Sequence, residues 1–103
     1  NFEFFDAPHV AFFSMPSNFV FPQAVDMGIL LGSMMLVMVE KGLGCIAQGS
    51  LAGYQEPVKE IAYIPEDNEI LFGLSFGFID DDAHINTVRM PRADLDDIAS
   101  FTS

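Results

Sequence analysis

The most informative segment for the fold is Pro22 to Gly49, which reads PQAVDMGILLGSMMLVMVEKGLGCIAQG. Pro22 suits the first turn of a helix, because the N–H that proline lacks would have no partner there. Gly42 suits the left-handed residue that often follows the end of a helix. The sequence therefore predicts a long apolar helix over 22–42 and, after it, a glycine-rich loop that runs to Gly49.

The helix predicted over 22–42 is apolar on every side. Residues 27–39 carry no charge, and they would span about 20 Å at the rise of an α-helix. The hydrocarbon core of a bilayer is about 30 Å thick, so the sequence favours a core helix over a membrane span. Gly28 and Gly32 share one face, where they would let another backbone approach closely. We expect a second copy of the chain or a further segment to enclose this helix.

Composition excludes one large class of partner. The chain has 103 residues and a formal net charge of −11, although half of its residues are apolar and its mean hydropathy is +0.33. Its four basic residues, Lys41, Lys59, Arg89 and Arg92, are too few for a nucleic-acid surface. Cys45 is the only cysteine, so no internal disulfide can form, as is usual in the cytoplasm.

Two further stretches are predicted to be buried strands. The first is 9–15, HVAFFSM, and the second is 69–79, EILFGLSFGFI, in which Gly73 and Gly77 mark close backbone approach or a bulge. Between these strands, Pro57 begins a short amphipathic helix. Most of the eleven phenylalanines lie near the N-terminus, which favours a deep core there over the wall of a pocket for a flat ligand.

The glycines of the predicted loop match two phosphate-binding motifs by letter alone. Gly42 to Ala47 fits the dinucleotide fingerprint, but here it follows a helix, whereas that motif follows a strand and opens a helix. Gly44 to Gly49 has the glycine spacing of a P-loop, yet Ser50 stands where the lysine is required. Two alternatives remain open: a plain helix cap with a turn, or a loop that offers backbone N–H groups to a ligand.

Reactive side chains offer few candidate sites. Cys45 is more typical of a small core residue than of a nucleophile. The acidic run 80–82 with His84 matches neither a calcium loop nor a zinc site, so we expect no metal. Arg89 and Arg92 are spaced to hold a phosphate between them, or else they pair with surface carboxylates. These two alternatives also remain open.

Taken in order, several segments resemble the FMN-dependent nitroreductases. The segments that carry the resemblance are Ala7-Pro8-His9-Val10, the helix from Asp26-x-Gly28 into Gly42–Gly49, Ile64-Pro65-Glu66-Asp67, the strand Gly73 to Phe78, and Arg89-x-x-Arg92-Ala-Asp-Leu. Their order and spacing make the match specific, although Ser33 stands where many members carry Asn. The resemblance covers only the second half of such proteins. We therefore expect residues 1–103 to be the C-terminal half of a single nitroreductase-like domain, with the N-terminal half absent.

The resemblance implies a fold and an assembly. The fold is an α+β, nitroreductase-like one, in which a mixed, mainly antiparallel sheet packs on a long central helix. The assembly is an obligate homodimer joined through the helix 22–42, with one FMN per subunit at the seam between subunits. The protein is expected to be cytoplasmic and to bind neither membranes nor nucleic acid.

The resemblance also implies a reaction. NADH or NADPH would reduce FMN and leave, and a nitroaromatic, quinone or similar small-molecule acceptor would then be reduced, which is a ping-pong mechanism. Backbone N–H groups of Gln48 and Gly49 would face the hydride-accepting edge of the isoalloxazine ring. Arg92, with Arg89, would hold the FMN phosphate. Because the cofactor carries the chemistry, no catalytic side chain is expected.

Two alternatives to this reaction remain open. One is a non-catalytic dimer of the same fold that binds flavin or only a partner, without turnover. The other is an enzyme of the same family with different flavin chemistry, such as dehalogenation or flavin destruction.

Overall fold

A three-stranded antiparallel sheet forms the centre of the structure, a computed structural model that describes residues 3–102. Its strands are β1 (His9–Pro16), β2 (Leu43–Gln48) and β3 (Asn68–Phe78). Their order in the sheet is β1-β3-β2, so β3 has a hydrogen-bonded neighbour on each side.

The helices connect and follow these strands. Helix α1 (Phe21–Glu40) joins β1 to β2, and helix α2 (Gln55–Ala62) joins β2 to β3 after a 3₁₀ turn at Gly49–Gly53. Two short helices, α3 (His84–Thr87) and α4 (Leu95–Ile98), lie in the tail after β3. The predicted strands and both predicted helices are therefore present, with ends that differ by one or two residues or, for α2, slightly more.

The glycines of β3 allow neighbouring segments to pack against one face of the strand. A Cβ atom at Gly73 would collide with the side chain of Leu51, and one at Gly77 would lie 2.6 Å from Cδ of Pro8. The prediction that both glycines mark close approach is therefore confirmed. Because side chains alternate along a strand, Ser75 lies on the same face, between the two glycines.

The core is small and lies where α2 and the 3₁₀ turn pack on the sheet. Its buried apolar side chains are Phe13, Leu51, Val58, Ile70 and Leu74. The expectation that the N-terminal phenylalanines form a deep core is correct for Phe13, whose ring stacks on a β3 phenylalanine. It is wrong for Phe21, which is 80% exposed because it lies at the start of α1, a helix with no buried residue.

The glycine-rich loop predicted over 42–49 is wrong, because Leu43–Gln48 forms strand β2. Gly42, with a φ of +76°, reverses the chain after α1, as the prediction requires. Gly44 lies within this strand because there is no room for a larger residue: the side chain of Ile79 lies 2.6 Å from the position that a Cβ atom would take. Pairing with β3 stabilises this stretch as a strand, and such a long-range contact is not visible in local glycine spacing.

Helix α1 forms as predicted, but the described chain does not enclose it. None of its residues is buried within residues 3–102, and Ile29 and Leu36 are 63% and 74% exposed. A Cβ atom at Gly28 or Gly32 would meet nothing within 4 Å. The enclosure that such an apolar surface requires therefore has to come from outside the described part of the chain.

Helix α1 (Phe21–Glu40) is longer than its uncharged stretch, residues 27–39. With 20 residues, α1 is long and apolar enough to cross a membrane. Its rise gives about 30 Å, which equals the thickness of the hydrocarbon core. The expectation that α1 does not span a membrane therefore cannot rest on length, since core helices of soluble proteins pass the same test.

Candidate functional site

Strand β2 ends in a change of direction at Gln48 and Gly49, which we call the β2 corner. The Gln48 side chain points inward, where its Oε1 accepts a hydrogen bond from the hydroxyl of Ser75 on β3. Gln48 and Ser75 are only 5% and 2% exposed, so water does not compete for this hydrogen bond. The Gln48 side chain therefore anchors the corner and is not open to a ligand.

Gly49 presents an open stretch of backbone at the same corner. It begins the 3₁₀ turn and is exposed. In 3₁₀ geometry each N–H donates to the carbonyl three residues earlier. The N–H groups of Gly49 and Ser50 come before the first such bond, so they have no acceptor within the turn. A Cβ atom at Gly49 would meet nothing within 4 Å, so a flat molecule has room to lie against this backbone. Backbone N–H groups arranged in this way can donate to an electronegative ligand.

A second glutamine holds the far end of the 3₁₀ turn. Gln55 Nε2 donates to the Ile70 carbonyl at 3.0 Å, and the Ile70 N–H donates to Gln55 Oε1 at 2.9 Å. Since β2 ends opposite Gly73, the Gln55 amide takes the place that a neighbouring strand would occupy beside Ile70. Both ends of the turn are thus fixed to β3 by glutamine side chains.

Sequence reasoning missed two residues of this region, Ser75 and Gln55. The signal for Ser75 was a single hydroxyl between two glycines in an otherwise apolar strand. The signal for Gln55 was a second amide side chain just beyond the glycine-rich stretch. Neither signal indicates which residue forms the hydrogen bond, because the contacts of both residues join segments that are distant in sequence.

Arg89 and Arg92 lie on the exposed tail. Arg89 Nη1 donates to the carbonyls of Asn86 and Val88 at 2.7 and 3.2 Å, and Arg92 Nη1 donates to that of Met90 at 3.1 Å. Neither guanidinium forms an ion pair within residues 3–102, so the alternative of pairing with surface carboxylates is not observed. Helices α3 and α4 make at most marginal contact with other elements, and the arginines are not enclosed in one pocket with the β2 corner.

Cys45 and the histidines form no catalytic arrangement. Cys45 lies opposite Phe76, and burial raises the pKa of its thiol, which disfavours the reactive thiolate. His9 lies on the other side of β3, where its ring stacks on that of Phe76 with 5.3 Å between centroids. In the part of the chain that the structure describes, no cluster of His, Cys, Asp and Glu side chains could hold a metal ion.

Comparison with known sequences gives a consistent result. The model of the Nitroreductase family matches residues 1–78. The nitroreductase NfnB of Mycolicibacterium smegmatis is 38% identical over 99 residues, which are 96% of this chain and 42% of that protein. The 4-nitrobenzoate reductase of Pseudomonas putida is 36% identical over 92 residues, which are 89% of this chain and 40% of that protein.

Comparison with solved structures agrees. The crystal structure of the FMN-dependent nitroreductase NfnB from Mycobacterium smegmatis in complex with NADPH matches 94% of this chain with a TM-score of 0.88 and 38% identity. The resemblance and the α+β fold with an antiparallel sheet, both predicted from the sequence, are confirmed. The match covers 43% of that structure, so the chain spans less than half the length of the relatives it matches.

Proposed function

Because this chain belongs to the nitroreductase family, we propose that it forms part of an FMN-dependent oxidoreductase that takes hydride from NADPH or NADH. The proposed acceptors are nitroaromatics, quinones or similar small molecules, and the proposed mechanism is ping-pong. The names of two similar proteins support this class: one is a 4-nitrobenzoate reductase, and the other is FMN-dependent and in complex with NADPH. When bound, FMN supplies the hydride transfer itself.

The open backbone of the β2 corner is the observation that carries the proposal. The isoalloxazine ring of FMN is flat and has nitrogen and oxygen acceptors along one edge. Gly49 leaves room for such a ring, and the N–H groups at the start of the 3₁₀ turn are suitable donors. Such donors are fixed dipoles that would stabilise negative charge at the ring edge. Gln48 and Gly49 would therefore act through their backbone.

Arg89 and Arg92 would hold the FMN phosphate. Both guanidinium groups are exposed, and their hydrogen bonds go to nearby backbone carbonyls. A guanidinium presents a fork of donors that matches a phosphate. These arginines are two of only four basic residues in a chain of net charge −11, so few other groups in it could compensate the phosphate charge.

Helix α1 would form the seam of a cytoplasmic homodimer rather than a membrane span. Seven of its large apolar residues are exposed, and both Gly28 and Gly32 leave space for a partner backbone. Ser33 Oγ donates to the Ile29 carbonyl at 2.9 Å, so the one hydroxyl of α1 needs no acceptor from a partner. Within the homodimer, residues 1–103 would be the C-terminal half of a single domain, and further FMN contacts would come from the other half.

The visible absorbance spectrum of the full-length protein tests this function. The protein is mixed with FMN, excess FMN is removed, and NADPH or NADH is then added without oxygen. We expect a yellow protein that bleaches with the nucleotide and regains its colour when a nitroaromatic is added. A colourless protein would contradict the proposal. Retained FMN that neither nucleotide bleaches would favour the non-catalytic dimer, and product analysis would identify dehalogenation or flavin destruction.

A further inference from the structure

We propose that Ser75 is a positioning residue for the flavin: its hydroxyl holds Gln48 so that the backbone of Gly49 faces the ring. This inference rests on the proposed function and adds to it a residue of the central strand. Ser75 would not touch the cofactor, because it is 2% exposed and lies behind the β2 corner.

Three contacts fix the turn after β2 to β3, at one edge of the strand and on the face that carries Gly73, Ser75 and Gly77. At its start, the Gln48 side chain accepts the hydrogen bond of Ser75. In its middle, the Leu51 side chain occupies the space beside Gly73. At its end, the Gln55 amide pairs with both backbone groups of Ile70, and its Nε2 also donates to the Ala52 carbonyl at 2.7 Å. A turn held at three points has little freedom to reorient its N–H groups.

Ser75 provides the attachment nearest to the proposed ring. Buried polar groups are almost always hydrogen-bonded, so a Gln48 amide without the hydroxyl would have to leave its site or stay there unsatisfied. The first result moves the residue that directly precedes Gly49 in the chain, and the second removes the hydrogen bond that holds that residue in place. Donors that stabilise developing charge are effective only when they are held in place beforehand. The position of Ser75 on the most buried strand supplies that rigidity.

The test uses the full-length protein and the variant Ser75→Ala. The reduced flavin ring carries more negative charge at its edge than the oxidised ring, so it depends more on the backbone donors. We expect the two-electron reduction potential of bound FMN to fall by about 30 mV, which corresponds to tenfold weaker binding of reduced relative to oxidised FMN. The potential is measured by spectroelectrochemistry and the dissociation constant of oxidised FMN by fluorescence quenching.

Three further variants make the result specific. Ser75→Thr keeps the hydroxyl and should restore the wild-type potential. Gln48→Met removes the acceptor at similar volume, so it should reproduce the loss even where Ser75→Ala does not fold. Ser14→Ala is the matched control, because Ser14 Oγ accepts a hydrogen bond from Asn68 Nδ2 at 3.1 Å on the opposite side of β3. It should leave the potential unchanged.

The possible outcomes separate this inference from the proposed function. A wild-type protein that binds no FMN overturns both. A wild-type protein that binds FMN, with Ser75→Ala and Gln48→Met at the wild-type potential and affinity, overturns only the role of Ser75. An equal fall in potential for Ser14→Ala would also overturn that role, because the effect would then reflect general destabilisation of the sheet.

Discussion

Strand β3 and helix α1 are similarly apolar, yet the chain buries the first and leaves the second exposed. In β3, Ile70 and Leu74 are 2% and 0% exposed, and a strand lies on each side. In α1, Ile29 and Leu36 are 63% and 74% exposed, and no residue is buried within residues 3–102. Apolar composition therefore shows that an element needs cover, but it does not show whether the same chain provides it.

The two parts of the candidate site differ in the same way, because one part is packed within the chain and the other is exposed. The β2 corner and the turn that follows it are attached to β3 by side-chain hydrogen bonds within the described chain. Arg89 and Arg92 lie on the tail, whose helices α3 and α4 make at most marginal contact with the sheet. Under the proposed function, the backbone donors of the β2 corner would already be in place in this chain, whereas Arg89 and Arg92 would take their final positions only in the assembled protein.

Charges on the exposed face of α1 should have the largest effect. Ile29 and Leu36 share one face of the helix, so the double variant I29E/L36E would bury two unpaired carboxylates at the proposed seam. We expect the dissociation constant of the full-length dimer to rise about ten-thousandfold or more, which is about 5.5 kcal/mol, as measured by analytical ultracentrifugation. Ile61→Glu on the exposed side of α2 should leave it unchanged.

Two other results would contradict the proposal that a partner subunit covers α1. A full-length protein that is monomeric in water would remove the homodimer seam. A protein that remains dispersed only in detergent, and loses this requirement in the double variant, would assign α1 to a membrane instead.

Truncation in β3 should have the next largest effect. Leu74→Ala truncates a side chain that is 0% exposed and leaves a cavity in its place. We expect the free energy of unfolding of the full-length protein to fall by about 2–5 kcal/mol in urea titrations. Ile61→Ala, at a 76% exposed position, should change it by about 0.5 kcal/mol or less. Equal losses in the two variants would contradict the assignment of β3 as the core strand.

Removal of a proposed phosphate donor should have a smaller effect. We expect Arg92→Ala to weaken FMN binding to the full-length protein by about 1.5–3 kcal/mol, because a charge-assisted hydrogen bond is lost. Binding of riboflavin, which lacks the phosphate, should be unchanged. Lys59→Ala is the control, since Lys59 Nζ already donates to the Glu66 carbonyl at 3.0 Å. An unchanged FMN dissociation constant in Arg92→Ala would remove this residue from the site.

Cys45 should show the smallest effect. Burial raises the pKa of the Cys45 thiol, so less thiolate is present at a given pH than in an unstructured peptide. We expect iodoacetamide to alkylate Cys45 more slowly than a cysteine peptide near pH 8, and the rate to rise with pH. The protonated thiol favours the folded state, so its contribution to stability is complete below about pH 8.5 and is lost as pH rises through the higher folded pKa. Faster alkylation than in the peptide would contradict this.

Much of the fold could be predicted from local patterns. Proline and glycine marked the limits of α1, and the apolar runs marked β1 and β3. Strand β2 could not be predicted, because its two flanking glycines and Gly44 favour a loop locally. Only the pairing with β3 and the cover that Ile79 provides over Gly44 make that stretch a strand.

The resemblance predicts the β2 corner as the candidate site, but it does not predict the contacts that build the corner. The resemblance placed Gln48 and Gly49 at the flavin, and the structure shows an open backbone there with the Gln48 side chain turned away. The partner of Gln48 is Ser75, and the two residues meet only because β2 and β3 pair in one register. Register depends on the whole sheet, so local spacing does not reveal it.

Hydrogen–deuterium exchange of residues 49–54 in the full-length protein, with and without FMN, shows whether the backbone of the β2 corner binds the flavin. If the backbone of the β2 corner donates to the flavin, FMN should slow exchange at Gly49 and Ser50. Amides in 73–76 should change little, because this part of β3 already has a paired strand on each side. Bound FMN with unchanged exchange over 49–54 and protection confined to other segments would contradict the account.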